Sequence, residues 1–293
     1  MEAVFIALFF FFTIVGFSTF YLQKGIGTMA DPMRQFGLFL LNKAPAGIVD
    51  LFNDEKGSGA KTWMNLGMIW LTLAGIGTFL SLWHDYDGSA LDSLASIGWS
   101  YDDGSALDTF VNATLITGLF SILLGGGLVA VARSGAGKMA SESNASLTAL
   151  LFSVLTATAL LLPTILGLLA DLSAENETLL QDLFMHSLRA FIIIAVMINV
   201  LLTVAQRKGE TIQASNWFVF MALASFIFGS QFRFFGELAD STQVVWLGER
   251  MTQSWVMISL FFAVAYHLVP RAASRPIWSD SMTKASMLLL FIT

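Results

Sequence analysis

Read for the spacing of apolar and polar positions, the chain breaks into long hydrophobic runs joined by short polar loops. Seven runs cover residues 3–22, 63–83, 110–132, 147–170, 188–205, 216–235 and 244–268. A helix needs about 20 apolar residues to cross the hydrocarbon core of a bilayer, and each run meets or approaches that length. Water is absent there, so backbone amides must be satisfied internally and each predicted span is a helix. An eighth run starts near Met282 and reaches Thr293, which predicts the opening of a further helix and a chain that continues past it. Segment 35–52 is too short to span, carries Pro45, and predicts an interfacial or re-entrant piece. The expected fold class is all-α, a polytopic membrane helix bundle with seven full spans and a truncated eighth.

The loops support the same spans independently. Loop 23–62 holds Lys24, Arg34, Lys43, Lys56 and Lys61, whereas loop 84–109 holds Asp85, Asp87, Asp92, Asp102, Asp103 and Asp108 with no Lys or Arg. Arg133 and Lys138 follow, then Asp171, Glu175, Glu177 and Asp182, then Arg207 and Lys208, then Glu237 and Asp240, then Arg271 and Arg275. Basic and acidic loops alternate without exception. By the positive-inside rule the N-terminus is outside, and loops 23–62, 133–146, 206–215 and 269–281 are cytoplasmic.

Composition narrows the class further. The chain is 56% hydrophobic and 12% charged, against about 25% charged in soluble domains. No cysteine is present, which removes disulfides, thiolate metal sites and cysteine-held iron–sulfur clusters. The net charge of −6 includes no basic stripe, which excludes nucleic acid as a partner. The Phe-rich first span lacks a basic n-region and is followed by Lys24, so it reads as an anchor with its N-terminus outside. Pro163 is expected to kink the fourth span, because it removes a backbone donor. Gly125, Gly126 and Gly127 are expected to permit close helix packing. Gly88-Ser89-Ala90-Leu91-Asp92 recurs as Gly104-Ser105-Ala106-Leu107-Asp108, a local duplication rich in turn formers and lacking the spacing of a calcium loop. Ser134-Gly135-Ala136-Gly137-Lys138 lacks the flanking residues of a phosphate loop.

Two stretches carry a resemblance. Residues 243–279 run QVVWLGERMTQSWVMISLFFAVAYHLVPRAASRPIWS, an apolar span with the exit Tyr266-His267, a turn Val269-Pro270-Arg271 and then Arg275-Pro276-Ile277-Trp278-Ser279. Upstream, Arg207-Lys208 precedes Ser215-Asn216-Trp217-Phe218. In order, spacing and sidedness these resemble the fifth and sixth helices, with their loops, of subunit I of the heme–copper oxidase superfamily, most of all the C-family (cbb-type) cytochrome c oxidases. The resemblance covers roughly 60–293 and is most specific over 206–279. It divides the chain into 1–62, an extra N-terminal transmembrane helix with a cytoplasmic loop, and 63–293, an incomplete subunit I-like bundle.

What the resemblance implies is a respiratory membrane complex of a prokaryote, with other subunits as partners, heme and copper as cofactors, and electron transfer coupled to proton movement. The family's second helix opens with a histidine that ligates heme, and that position here is Phe110. Its sixth helix supplies a copper-ligating histidine, where this chain has Glu249 after Trp246-Leu247-Gly248. Neither substitute is an imidazole. A divergent oxidase-like protein and a non-catalytic structural subunit or transporter both remain open at this point.

The candidate site residues follow from charge inside the spans, where an ionisable group costs about 2.5–3.5 kcal/mol at the membrane centre and less near an interface. Glu249 and Arg250, with Gln253 one turn on, are expected to form one polar face near the outer end of the last full span. That face suits a proton path, a remnant metal site or an interfacial pair. Arg233 is expected to pair with Glu237 at i+4 or with Glu249 across helices. His84, beside Asp85, is a further candidate heme ligand. His186 and His267 are expected at opposite membrane faces and so cannot share a metal.

Overall fold

The structure, a computed structural model, describes residues 55–95, 106–135, 137–169 (side chains through 161), 183–207 and 212–275, and isolated positions between Ser281 and Leu290. Six helices among these are long and apolar enough to cross a membrane: α1 (Ser58–Tyr86), α2 (Ala106–Ser134), α3 (Glu142–Leu169), α4 (Leu183–Ala205), α5 (Ala214–Leu238) and α6 (Thr242–Ala272). The described residues contain no strand, and the fold is a helical membrane bundle. Six of the seven expected spans therefore coincide with helices. The run 3–22 and segment 35–52 lie outside the described residues. Of the eighth run, Ser281, Thr283, Ala285, Ser286, Leu289 and Leu290 are helical.

The helices outreach most of the apolar runs. At 29 residues each, α1 and α2 are about 44 Å long by a rise of 1.5 Å per residue, well beyond a core of about 30 Å. Exposed aromatics mark both ends, as membrane interfaces favour. Trp83, Tyr86 and Trp246 lie at the end carrying Asp85, Glu237 and Asp240 (the acidic end), and Trp217 at the end carrying Arg133 and Arg271 (the basic end).

Helix α2 is the hub, and its consecutive glycines each admit a different neighbour. A Cβ at Gly125 would meet the Ala60 carbonyl of α1 at 2.9 Å, one at Gly126 would meet Val264 of α6 at 2.8 Å, and one at Gly127 would meet Val219 of α5 at 3.0 Å. Close approach through small residues is the main packing device in lipid, where burial of apolar surface gives no advantage. Around this hub Trp63, Phe120, Phe152 and Phe226 form an aromatic cluster with ring centroids 5.0–6.1 Å apart.

Polar groups close the basic end. Glu142, buried in the first turn of α3, accepts the N–H groups of Gly57 and Met139 at 3.0 Å and of Gly59 at 3.1 Å. These are backbone donors that a helix start would otherwise leave open. Asn199 of α4 pairs twice with the Ser141 backbone, accepting its N–H at 3.0 Å and donating to its carbonyl at 2.7 Å. Ser141 in turn caps α3 by accepting the Asn144 N–H at 3.1 Å.

The expected turn Val269-Pro270-Arg271 is helical instead, because α6 runs through Pro270 to Ala272. One missing donor near a helix end removes little, and the helix closes four residues later. Ser274 adopts φ 51°, with Arg275 N–H bonding the Pro270 carbonyl and Ser274 N–H that of Arg271, a Schellman closure. Helix α5 ends in the same way at Asp240. Helix α3 is continuous through Pro163. In the first copy of the duplicated segment, Asp87 accepts the Ser89 hydroxyl at 2.7 Å and its N–H at 3.0 Å. These bonds hold the exposed Asp87 carboxyl below the usual carboxylate range.

Candidate functional site

The charged residues singled out from the sequence gather where α5 and α6 meet at the acidic end. Three glycines let these helices touch backbone to backbone: Gly248 faces the Arg233 amide and the Gly229 carbonyl, Gly229 faces Met251, and Gly236 faces Val245. This approach brings Arg233 Nη1 to 2.9 Å from Glu249 Oε1. Of the two partners open to Arg233 in the sequence, Glu249 across the helices is the one engaged.

The single polar face expected for Glu249, Arg250 and Gln253 is divided. Glu249 turns to Arg233, whereas Arg250 is exposed and lies over the Trp246 ring at 5.7 Å, a cation–π contact suited to an interface. Immediately afterwards Met251–Trp255 forms a π-helical turn, and Gln253 opens instead onto a cavity. The wider turn changes the register that α-helical spacing assumes. Such π segments concentrate at functional sites, and a second one, Leu183–Leu188, opens α4 and carries His186.

The cavity, of about 440 Å³, lies between α2, α4, α5 and α6. Its polar lining includes Asp108, Asn112, His186, Arg189, Arg233 and Gln253. Arg189 is the residue that the sequence reading missed. It is 6% exposed, with Nη2 donating to Thr117 Oγ1 at 3.3 Å and Nη1 within 2.7 Å of Met185 Sδ. Its guanidinium carbon sits 4.1 Å from the Phe152 ring centroid. Among the described residues no carboxylate pairs with it. The available signal was an arginine at the mouth of an apolar run. The run begins at 188, which places Arg189 at its polar edge.

The positions that the resemblance marks for heme and copper do not suit those groups. Phe110 offers no lone pair and lies against α1 beside Gly77, where a Cβ would come within 3.3 Å of its ring. Glu249 is already committed to Arg233. His84 is half-buried on α1, at i+7 from Gly77 along the face toward α2. Among the described residues no three of His, Cys, Asp and Glu are grouped to hold a metal. His267 lies at the basic end, where Arg133 Nη1 and Arg271 Nη1 approach its Nε2 at 3.3 and 2.9 Å. Both guanidiniums can only donate, so Nε2 is the acceptor and the ring proton is on Nδ1. His186 and His267 thus sit at opposite ends of the bundle.

The two stretches that carried the resemblance meet directly. Phe218 stacks on Tyr266 at 5.3 Å and lies 5.5 Å from Phe262, and Asn216 Nδ2 donates to Ser134 Oγ at 2.7 Å. Comparison of the chain with protein-family models, with characterised proteins and with solved structures gives no match.

Arg233 and Glu249 are 24% and 42% exposed, so their pair is expected to contribute modestly. A double-mutant cycle with Arg233→Gln and Glu249→Gln, read by unfolding in mixed micelles, should give a coupling of about 0.5–1 kcal/mol. Zero coupling would show that the helices are held by the glycine contacts alone.

Proposed function

We propose that this protein is a divergent relative of subunit I of the heme–copper oxidases. On this reading it serves a respiratory complex in a prokaryotic cell membrane and uses neither a heme iron at Phe110 nor a copper at Glu249. The N-terminus is outside and the basic end is cytoplasmic. The observation carrying the proposal is the contact of Phe218 with Tyr266, which joins the two family-like stretches, combined with the replaced ligand positions.

The test is purification of the full chain with its associated subunits from native membranes, followed by pyridine-hemochrome and elemental copper assays. Co-purification with electron-transfer subunits and no heme or copper assigned to this chain is the expected result. Stoichiometric heme and copper in the isolated chain would overturn the non-catalytic reading in favour of an active oxidase. Isolation with no electron-transfer partner would overturn the respiratory assignment.

A second reading, as a transporter, is favoured by the polar cavity. Transport needs that cavity to open to both faces in turn. The chain has no cysteine, so Gln253→Cys, at an exposed residue of the cavity lining, would report access directly. Labelling from the acidic side only would exclude transport by alternating access.

A further inference from the structure

Helices α2 and α6 run in the same direction, from the acidic end to the basic end. They touch where a Cβ at Gly126 would meet Val264 at 2.8 Å. Seven residues further along each helix, two turns on and nearly on the same face, stand Arg133 and Arg271. The helix pair therefore ends in two opposed arginines. Their convergence is direct, because Arg133 Nη1 and Arg271 Nη1 lie 3.3 and 2.9 Å from the same atom, His267 Nε2. The two nitrogens are thus at most about 6 Å apart, where like charges repel.

His267 is 5% exposed and offers one neutral lone pair to two cations, so it joins them without neutralising either. Among the described residues no carboxylate pairs with Arg133 or Arg271. Arg133 also borders a cavity of about 230 Å³ beside α1, together with Lys56 and Glu142. Glu142 is occupied there by the N–H groups of Gly57, Gly59 and Met139, whereas Lys56 adds a third positive charge. Both arginines are exposed. Each guanidinium carries five donors and directs one nitrogen at His267, so donors remain for a further acceptor.

Position along α6 says what that acceptor is attached to. Arg271 follows the buried His267 by four residues and Leu268, 53% exposed, by three, so it stands between the bundle and its outer surface. Phe261, seven residues before Leu268 and on the same face, is 60% exposed. An outward apolar stripe thus leads to the two guanidiniums, at the end that Trp217 marks as an interface. We propose that Arg133 and Arg271 clamp the phosphodiester of an anionic phospholipid, with its acyl chains along Leu268 and Phe261. Guanidinium forks match phosphate oxygens, and basic groups between membrane helices favour anionic headgroups. Lys56 and the exposed Arg275 disfavour a headgroup that carries a cation of its own, such as choline. The site goes beyond the ancestry proposed above and stands on the α2–α6 geometry alone.

The test uses the full chain in nanodiscs of mixed phosphatidylglycerol and phosphatidylcholine, with retained lipid read by native mass spectrometry. The parent should prefer phosphatidylglycerol by about ten-fold, the value of one charge-assisted hydrogen bond. Arg133→Gln and Arg271→Gln should each abolish that preference, and Arg271→Lys, which keeps the charge without the fork, should lose most of it. Arg275→Gln removes an equal charge at the same end but outside the clamp, and should leave the preference intact. Each glutamine variant of the clamp also removes one of two repelling charges. In pure phosphatidylcholine discs both should therefore melt no lower than the parent, which separates loss of lipid from loss of fold. No preference in the parent, an equal loss in Arg275→Gln, or lower melting of both clamp variants overturns the proposal. A second arm titrates glycerol phosphate into phosphatidylcholine discs by calorimetry. Saturable binding there that Arg271→Gln removes, without a preference for phosphatidylglycerol, overturns the lipid in favour of a soluble phosphate.

Discussion

Gly248→Leu is expected to be the most damaging single change in the described part of this protein. An added Cβ would lie 2.5 Å from the Arg233 nitrogen, 2.7 Å from the Gly229 carbonyl oxygen and 2.9 Å from the Arg233 Cα. All three are backbone atoms of α5, so no side chain can swing aside and the helices must separate. Overpacking typically costs about 1–3 kcal/mol. With the obstruction wholly in backbone the cost should reach about 3 kcal/mol or more, and Arg233 and Glu249 should part as well. Gly75 is the control, since a Cβ there meets nothing within 4 Å. Gly75→Leu should be neutral or slightly stabilising, because glycine is a poor helix former by about 1 kcal/mol. Unfolding of the two variants in mixed micelles separates packing from propensity. Equal stabilities would show that the α5–α6 crossing is not as close as described.

Glu142→Ala should have the second largest effect, at the opposite end of the bundle. Its two carboxyl oxygens take the N–H groups of Gly57, Gly59 and Met139, which belong to the start of α1 and the approach to α3. Truncation would strand three donors around a side chain that is 1% exposed. At about 1–3 kcal/mol for each group left open, and allowing for partial rescue by entering water, the loss should be on the order of 3 kcal/mol. Glu142→Gln keeps one acceptor and turns an amide N–H₂ toward a donor, so it should lose roughly half as much. Amide exchange at Gly57, Gly59 and Met139 is the discriminating measurement. Faster exchange confined to those three amides, with the remainder of α1 protected, is the expected pattern. Unchanged exchange would show that other groups hold the α1 start.

The bundle was legible in the sequence because lipid imposes a harsh rule: a spanning segment must be long, apolar and helical, and its flanking charges must alternate. The boundaries were less so. Helix α4 starts at Leu183, five residues before its apolar run, because this part of it borders a cavity and can carry a polar residue such as His186. Pro270 signalled a turn, yet lies in the last helical turns, where one lost donor is easily tolerated. At the candidate site, the sequence supplied Arg233 and Glu249 and left their pairing open. The pairing is decided by Gly229 and Gly248, whose role is visible only when two backbones are seen in contact. The burial of Arg189 was not legible, because an arginine at the edge of an apolar run reads equally well as an interfacial charge. Its neighbours Phe152, Phe226 and Thr117 come from three other helices.

The three glycines in the middle of α2 also impose an order of assembly. Gly125 receives α1, made before α2, so that pair can form as soon as both helices are in the bilayer. Gly127 and Gly126 receive α5 and α6, the last spans to emerge among those described. Until then α2 shows lipid two narrow slots lined by bare backbone, which acyl chains fill poorly. The nascent bundle therefore carries an unfinished seam whose closing helix is the same one that bears Glu249. Completing the site and sealing the seam are a single late event in the life of the chain.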